Sequence, residues 1–160
     1  MIVIADTSPV NYLIRIGHID VLPILFSGIL VPPSVMTELR NPLAPEAVRQ
    51  WIMQPAAWLK IQAPRQTPDP ALLEARLGAG ERDAILLAQE LGANELIIDE
   101  LRGRRVAQLR RLHFIGTLGV LRTAADQGLL DFKEAIARLQ TTNFYIAPKL
   151  LDLIIGDEEG

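Results

Sequence analysis

Apolar residues in this chain fall into short unbroken runs, separated by longer stretches with helical spacing. Ile2-Val3-Ile4-Ala5 is continuous and largely β-branched until Asp6, the pattern of a short strand buried on both faces. Thr7 or Ser8 then suits an N-cap, with Pro9 at the first helical position. Val10, Leu13, Ile14 and Ile16 predict a helix ending at Gly17, and Val21, Leu22 and Leu25 a second short one. Gly28 to Val31 reads as a strand halted by Pro32-Pro33, after which Ser34 caps a helix carrying Val35, Met36 and Leu39. Val48, Trp51 and Ile52 suit a helix after Pro45, and Trp58 to Ile61 suits a strand. The proline-rich stretch from Pro64 to Pro70 reads as a loop.

Gly80 opens the most regular helix, lined by Ala84, Ile85, Leu87, Ala88 and Leu91 and stopped by Gly92. Glu95 to Ile98 is a further strand, again ending in acid at Asp99-Glu100. A basic helix from about Leu101 to Leu112 leads to a strand at Phe114-Ile115, and the remainder to Ile155 is mostly helical. Alternation of this kind predicts a mostly parallel sheet of four or five strands between helical layers, an α/β sandwich. In such sheets ligands bind beyond the carboxyl ends of the strands. Asp6 and Asp99 each stand at such an end.

Composition narrows the chemistry. The 160 residues fit one domain over 1–160, with the helical part of about 117–155 packed on it or at a dimer interface. There is no cysteine, which excludes zinc ribbons, iron–sulfur clusters and thiol catalysis and suits a reducing cytoplasm. No basic leader precedes the first apolar run, and no run approaches the roughly 20 residues that span a bilayer, so a soluble cytoplasmic protein with no membrane partner is expected. His18 and His113 lack partners at metal-ligand spacing, and Trp51 and Trp58 suit core or interface positions.

The chemistry that remains is carried by carboxylates. Asp6, Glu38, Glu81 and Asp99, with Glu100 as substitute for or addition to the last, make a hard all-oxygen set suited to Mg²⁺ or Mn²⁺. Such ions activate water and stabilise the oxygens of a phosphodiester under attack. Each acid taken alone has an ordinary explanation, as strand terminator, solvated helix residue or favourable charge at a helix start.

Four segments in order give the sequence a family likeness: Ile4-Ala5-Asp6-Thr7-Ser8-Pro9, then Val31-Pro32-Pro33-Ser34-Val35 running to Glu38, then Gly80-Glu81-Arg82-Asp83-Ala84, then Ile98-Asp99-Glu100. With Gly116-Thr117-Leu118-Gly119 and the later Gly128-Leu129, the chain resembles the PIN domain ribonucleases, in the branch labelled DUF3368, over nearly its whole length. The resemblance implies a PIN-like three-layer fold and an Mg²⁺- or Mn²⁺-dependent endoribonuclease, often the toxin of a toxin–antitoxin pair. It implies acids at Asp6, Glu38 and Glu81, with the fourth at Asp99 or Glu100, and a hydroxyl at Thr7 or Ser8 supporting the metal shell. It also implies an antitoxin partner and a homodimer or larger oligomer. Glu81 and Glu100 stand where many relatives carry Asp, which keeps open a PIN-like module that binds RNA or an antitoxin without cutting.

A dehalogenase-like phosphatase or a receiver domain also places Asp after its first strand. The former wants a second Asp where Ser8 stands, and none of Lys60, Lys133 and Lys149 follows a strand end. Ser8 as a nucleophile lacks a nearby His.

The formal net charge of −3 argues against nucleic acid until its distribution is considered. Asp157, Glu158 and Glu159 sit in the last residues, whereas Arg102, Arg104, Arg105, Arg110 and Arg111 crowd the basic helix. Helical spacing would put Arg104 and Arg111 on one face beside Arg105, near the acids, where Arg102, Arg104, Arg105 and Arg111 could hold RNA phosphates. A solvated face of ion pairs, or an acidic antitoxin segment, would use the same residues.

Overall fold

A computed structural model describes residues 1–159; Gly160, and the side chains of 157–159 with their acidic run, lie outside the described residues. Five strands form the sheet: β1 (Val3–Ala5), β2 (Ile29–Val31), β3 (Leu59–Ile61), β4 (Glu95–Ile97) and β5 (Phe114–Ile115). Their order is β3-β2-β1-β4-β5, and every pairing is parallel. Ala5 lies beside Ile97 and Ile4 beside Leu30. The chain builds outward from β1 in one direction, then crosses back to add β4 and β5 on the other side. The reversal falls between β1 and β4, and a ligand crevice forms at such a point.

The strands are short but bury residues on both faces, as unbroken apolar runs demand. Val3, Ala5 and Ile97 join one core cluster, with helices α1 (Thr7–Arg15), α2 (Val21–Phe26), α3 (Pro33–Leu39) and α4 (Glu46–Met53). Ile4, Leu96 and Ile98 point the other way, into a cluster with α5 (Pro70–Glu74), α6 (Ala79–Leu91) and α7 (Leu101–Leu109). Alternation by one residue therefore divides the interior into two layers, and the three-layer α/β/α architecture follows. The helices α8 (Thr117–Asp126) and α9 (Phe132–Gln140) bury Val120, Leu121, Ala124, Ile136 and Leu139 in the first layer. Leu151 and Ile154 of α10 (Pro148–Glu159) pack on the same layer, while Tyr145 and Leu153 stay exposed. The C-terminal part thus packs on the sheet domain. Among the described residues, no helix is long and apolar enough to cross a membrane.

Several local expectations shift. Asp6 itself is the N-cap of α1, so Thr7 and Ser8 sit in the first turn with Pro9. Pro32, not Ser34, precedes α3, its fixed φ already suited to an extended cap. The stretch expected to be a loop up to Pro70 ends in a helix: Asp69 accepts the Leu72 N–H at 2.8 Å and caps α5. The basic helix stops at Leu109, where Arg110 is the C-cap and Arg111 takes a φ of 59°. Arg111 is therefore off the helix, and the shared face with Arg104 expected from helical spacing does not form.

Candidate metal centre

The crevice between β1 and β4 collects the acids because the local structure of each segment ends there. Asp6 follows β1 directly, and its N–H donates to the Ile97 carbonyl at 2.9 Å, fixing it beside β4. Glu38 lies in the last turn of α3 and Glu81 in the first turn of α6, two helices packed against each other. Glu100 is the N-cap residue of α7. Asp6, Glu38, Glu81 and Glu100 line one cavity of about 350 Å³, with Thr7, Ser8, Asn11, Tyr12 and Gly78 completing its wall.

These carboxylates are not equally engaged. The Thr7 hydroxyl donates to one Glu38 oxygen, and the Gly80 N–H donates to the other at 3.0 Å. The Gly78 N–H reaches Glu81 Oε1 at 3.4 Å, the backward half of a capping box. Asp6 Oδ1 and Glu81 Oε2 are buried and accept nothing. Asp6 is only 3% exposed. Burial pushes its carboxyl up to about 7, the Thr7 backbone N–H opposing and the charges of Glu81, Glu38 and Asp99 adding to the rise. Glu81 is also pushed up to about 7, by burial first and then by the Glu100 charge beside it.

Two unpaired buried oxygens among like charges are costly in the absence of a counter-charge, and a hard divalent ion would supply what both lack. The donor set contains oxygen only and no sulfur or imidazole, which fits Mg²⁺ or Mn²⁺. Among the described residues, no three histidine or acidic side chains are gathered closely enough to hold an ion as they stand. Thr7 and Gly80 hold Glu38 on one side, and Thr117 and Ser8 hold Asp99 on another.

The PIN domain family DUF3368 matches residues 2–158. The chain belongs to that family. No match is found among curated proteins.

The two candidates for the fourth PIN acid sit in different surroundings. Asp99 accepts from the Thr117 N–H at 2.7 Å, the Thr117 hydroxyl at 2.7 Å and the Ser8 hydroxyl at 3.2 Å. Burial raises its pKa, opposed by these donors and by the Arg104 charge. It thereby ties the start of α8 to the ends of β4 and α1. Glu100, in contrast, faces the cavity with Asp6 and Glu81. Asp99→Ala is expected to cost about 1–3 kcal/mol of stability, since it strands the buried Thr117 donors. Glu100→Ala should cost less than about 0.5 kcal/mol, as it removes repulsion from Glu81. Urea unfolding of both variants checks the ranking, and equal losses would contradict it.

The arginines of this PIN domain disperse. Arg110 forms a bidentate pair with Asp69 at 2.9 and 2.8 Å and also meets Gln89, which locks α7 to α5 and α6. Arg102 donates to the Arg76 carbonyl at 3.2 Å. Arg105 is exposed beside Gln108 and Leu109, and Arg111 is exposed beyond the helix. Arg104 is half-buried, its guanidinium 5.3 Å from the Phe114 ring centre and its Nε buried without a partner.

Sequence reasoning overlooked the small residues that make room for the acids. A Cβ on Gly80 would stand 2.6 Å from Glu38 Oε2, and one on Gly103 would stand 2.6 Å from Glu81 Oε2. Gly103 in mid-helix is a signal that was there to read, since glycine costs a helix about 1 kcal/mol relative to alanine. Thr117, fully buried beside Asp99, lies in the Gly116 to Gly119 segment that carries the family likeness, whereas Asn11 and Tyr12 on the cavity wall had no such signal. His18 lies away from the cavity; burial lowers its pKa, as does the Arg138 charge, with Glu134 opposing.

Proposed function

We propose that this PIN domain is a divalent-metal-dependent endoribonuclease that cleaves RNA phosphodiester bonds, and that it serves as the toxin of a toxin–antitoxin pair in the cytoplasm. The observation that carries the nuclease reading is the pair of buried, unpartnered oxygens, Asp6 Oδ1 and Glu81 Oε2, in a cavity whose other acids are Glu38 and Glu100. The toxin role, an antitoxin partner and a homo-oligomer rest on the family resemblance.

Asp6 and Glu81 would hold Mg²⁺ or Mn²⁺, with Glu38, Glu100 and Asp99 as further or water-mediated ligands. When bound, the ion supplies the acidity that activates water and the positive charge that stabilises a phosphate under attack. Thr7 fixes the rotamer of Glu38, and Ser8 with Thr117 fixes Asp99. No covalent nucleophile is required: Ser8 is committed to Asp99, and neither histidine lines the cavity. Arg104, and the exposed Arg102, Arg105 and Arg111, supply positive charge for RNA.

Ion binding is the direct test. Millimolar Mn²⁺ or Mg²⁺ should raise the melting temperature, by about 5–10 °C if the concentration reaches a hundred times Kd, a gain of about 2.7 kcal/mol. Because protons compete for Asp6 and Glu81, the shift should shrink as pH falls below about 7. RNA cleavage should appear with either ion and vanish in chelator. A second reading, a module that binds RNA or an antitoxin without cutting, draws support from Glu38, whose two oxygens are already occupied by Thr7 and Gly80. Absence of any thermal shift together with intact RNA would select that reading.

A further inference from the structure

The acidic cavity does not end at Tyr12. A second hollow of about 380 Å³ shares Ser8, Tyr12 and Glu100 with it and continues to Phe144 and Tyr145. A third, of about 410 Å³, shares Asp99, Phe144 and Tyr145 with the second and is closed by Arg104, Phe114 and Leu118. The three hollows thus adjoin in a row from the carboxylates, past the segment joining α9 to α10, to Arg104.

We propose that the far end of this row of hollows, between Tyr145, Phe114 and Arg104, is a subsite for an unpaired nucleobase of the RNA, with Tyr145 as stacking platform and Arg104 as hydrogen-bond donor. The inference rests on the reading of the acidic cavity as a site acting on RNA, and it names the part of the substrate recognised beside that cavity.

Tyr145 is 79% exposed, although its neighbours Phe144 and Ile146 pack on the core. Phe144 is held edge-on to Tyr12 with ring centres 5.0 Å apart, so the segment is anchored on either side of an aromatic ring left facing water. Nothing in the packing requires an aromatic there. The Arg104 Nε is buried and unsatisfied, with its guanidinium over the Phe114 face. The Asp99 carboxylate, whose pKa the Arg104 charge helps to lower, already accepts from Thr117 and Ser8.

A base edge carries neutral acceptors for the guanidinium that lines the third hollow, and its flat face suits an aromatic wall. A phosphate fits less well, because the Asp99 carboxylate lies on the same wall and would repel it. A base can enter only when unstacked and unpaired, so the subsite selects single-stranded RNA over a duplex.

The experiment measures binding of short single-stranded RNA oligonucleotides by fluorescence anisotropy, in an Asp6→Asn background that leaves the RNA intact. Tyr145→Ala should weaken binding by about 5- to 150-fold with no change in melting temperature, the range expected for loss of one base–aromatic stack. Tyr145→Phe and Tyr145→Trp should retain it, and Arg104→Ala should weaken it where Arg104→Lys restores part. A scan of single abasic sugars should find one position whose loss matches that of Tyr145→Ala and does not add to it. Unchanged binding by Tyr145→Ala, purely additive losses at every abasic position, or equal binding of a duplex would overturn the subsite. Ion-dependent cleavage indifferent to Tyr145 and Arg104 overturns the subsite alone. Failure of the unsubstituted chain to bind or cut any single-stranded RNA overturns the ribonuclease reading together with it.

Discussion

Asp6→Asn is expected to abolish ion-dependent RNA cleavage and, in the ion-free protein above a pH of about 7, to make the fold more stable. Loss of activity follows from losing an anionic metal ligand, worth several kcal/mol or on the order of 10³-fold in rate. The gain in stability has a separate origin. The Asp6 carboxyl titrates at about 7 in the folded chain against 3.8 as the ordinary value, so the native state binds the proton more tightly than the unfolded state does. Stability therefore falls as pH rises between those two values, and the full penalty is present above the higher one. A shift of this size corresponds to an upper bound of about 4 kcal/mol, of which about 1–3 kcal/mol is a reasonable expectation once the site relaxes. Asparagine keeps the shape, carries no charge, and its amide N–H groups can donate to the carboxylates of Glu38 and Glu81.

In chelator, the variant should melt at least about 2–4 °C above the parent for each kcal/mol recovered, and the difference should disappear on the acid side. Added Mn²⁺ should stabilise the parent and leave the variant behind. Cleavage at the parental rate, or a variant that melts lower in chelator, would remove Asp6 from the centre of the mechanism.

Gly103→Ala sets two local effects against each other. Within α7, alanine is the better helix former by about 0.8–1 kcal/mol, so helix propensity alone predicts a more stable protein. The new Cβ, however, would stand 2.6 Å from Glu81 Oε2 and 2.7 Å from Ile98 Cδ1. Ile98 is fully buried, so its side chain can give way only into packed core. Overpacking of this kind costs about 1–3 kcal/mol, which outweighs the propensity gain, so a net loss of about 1 kcal/mol is expected. Displacing Glu81 by a fraction of an ångström to one ångström should also lower cleavage by about 10²-fold, since reacting groups tolerate little misplacement. Shortening the carboxylate with Glu81→Asp in the same chain should recover part of the stability. Calorimetry and a cleavage assay on the single and double variants decide the matter; a Gly103→Ala protein more stable than its parent would show that helix propensity prevails.

How far the sequence carried depends on whether a feature is local. Ile2 to Ala5 could be read as a buried strand because four apolar residues in a row admit few other uses, and Asp6 at its end marks the sheet edge. The same logic held for β2 and β4. The five residues of α5 escaped because Pro70 reads as a loop signal, although at the first helical turn proline is compatible with a helix and Asp69 supplies the cap. Arg111 was misplaced for a similar reason. Helical spacing assumes that a helix continues, and here Leu112 and Arg111 donate to Ala107 and Gln108 carbonyls and turn the chain toward β5.

The acids illustrate the boundary most sharply. Asp6, Glu38, Glu81 and the Asp99-Glu100 pair were legible as a set, since residue type and position at strand ends and helix turns are properties of the chain itself. Their states were not. Whether a carboxylate is satisfied depends on what lies opposite, and Asp99 meets Thr117, 18 positions away, while Glu38 meets Thr7 and Gly80, 31 and 42 positions away.

By itself, then, the sequence determined the alternation of strand and helix, the strand ends that carry acid, the absence of cysteine ligands and the family. Only the tertiary structure decided that Asp6 and Glu81 keep an unpartnered oxygen, that Glu100 rather than Asp99 lines the acidic cavity, that Arg104 Nε is buried without a partner, and that Gly80 and Gly103 leave space for carboxylates. The division is physical. Secondary structure follows from periodicity along the chain, whereas desolvation, pairing and steric room depend on segments that only folding brings together.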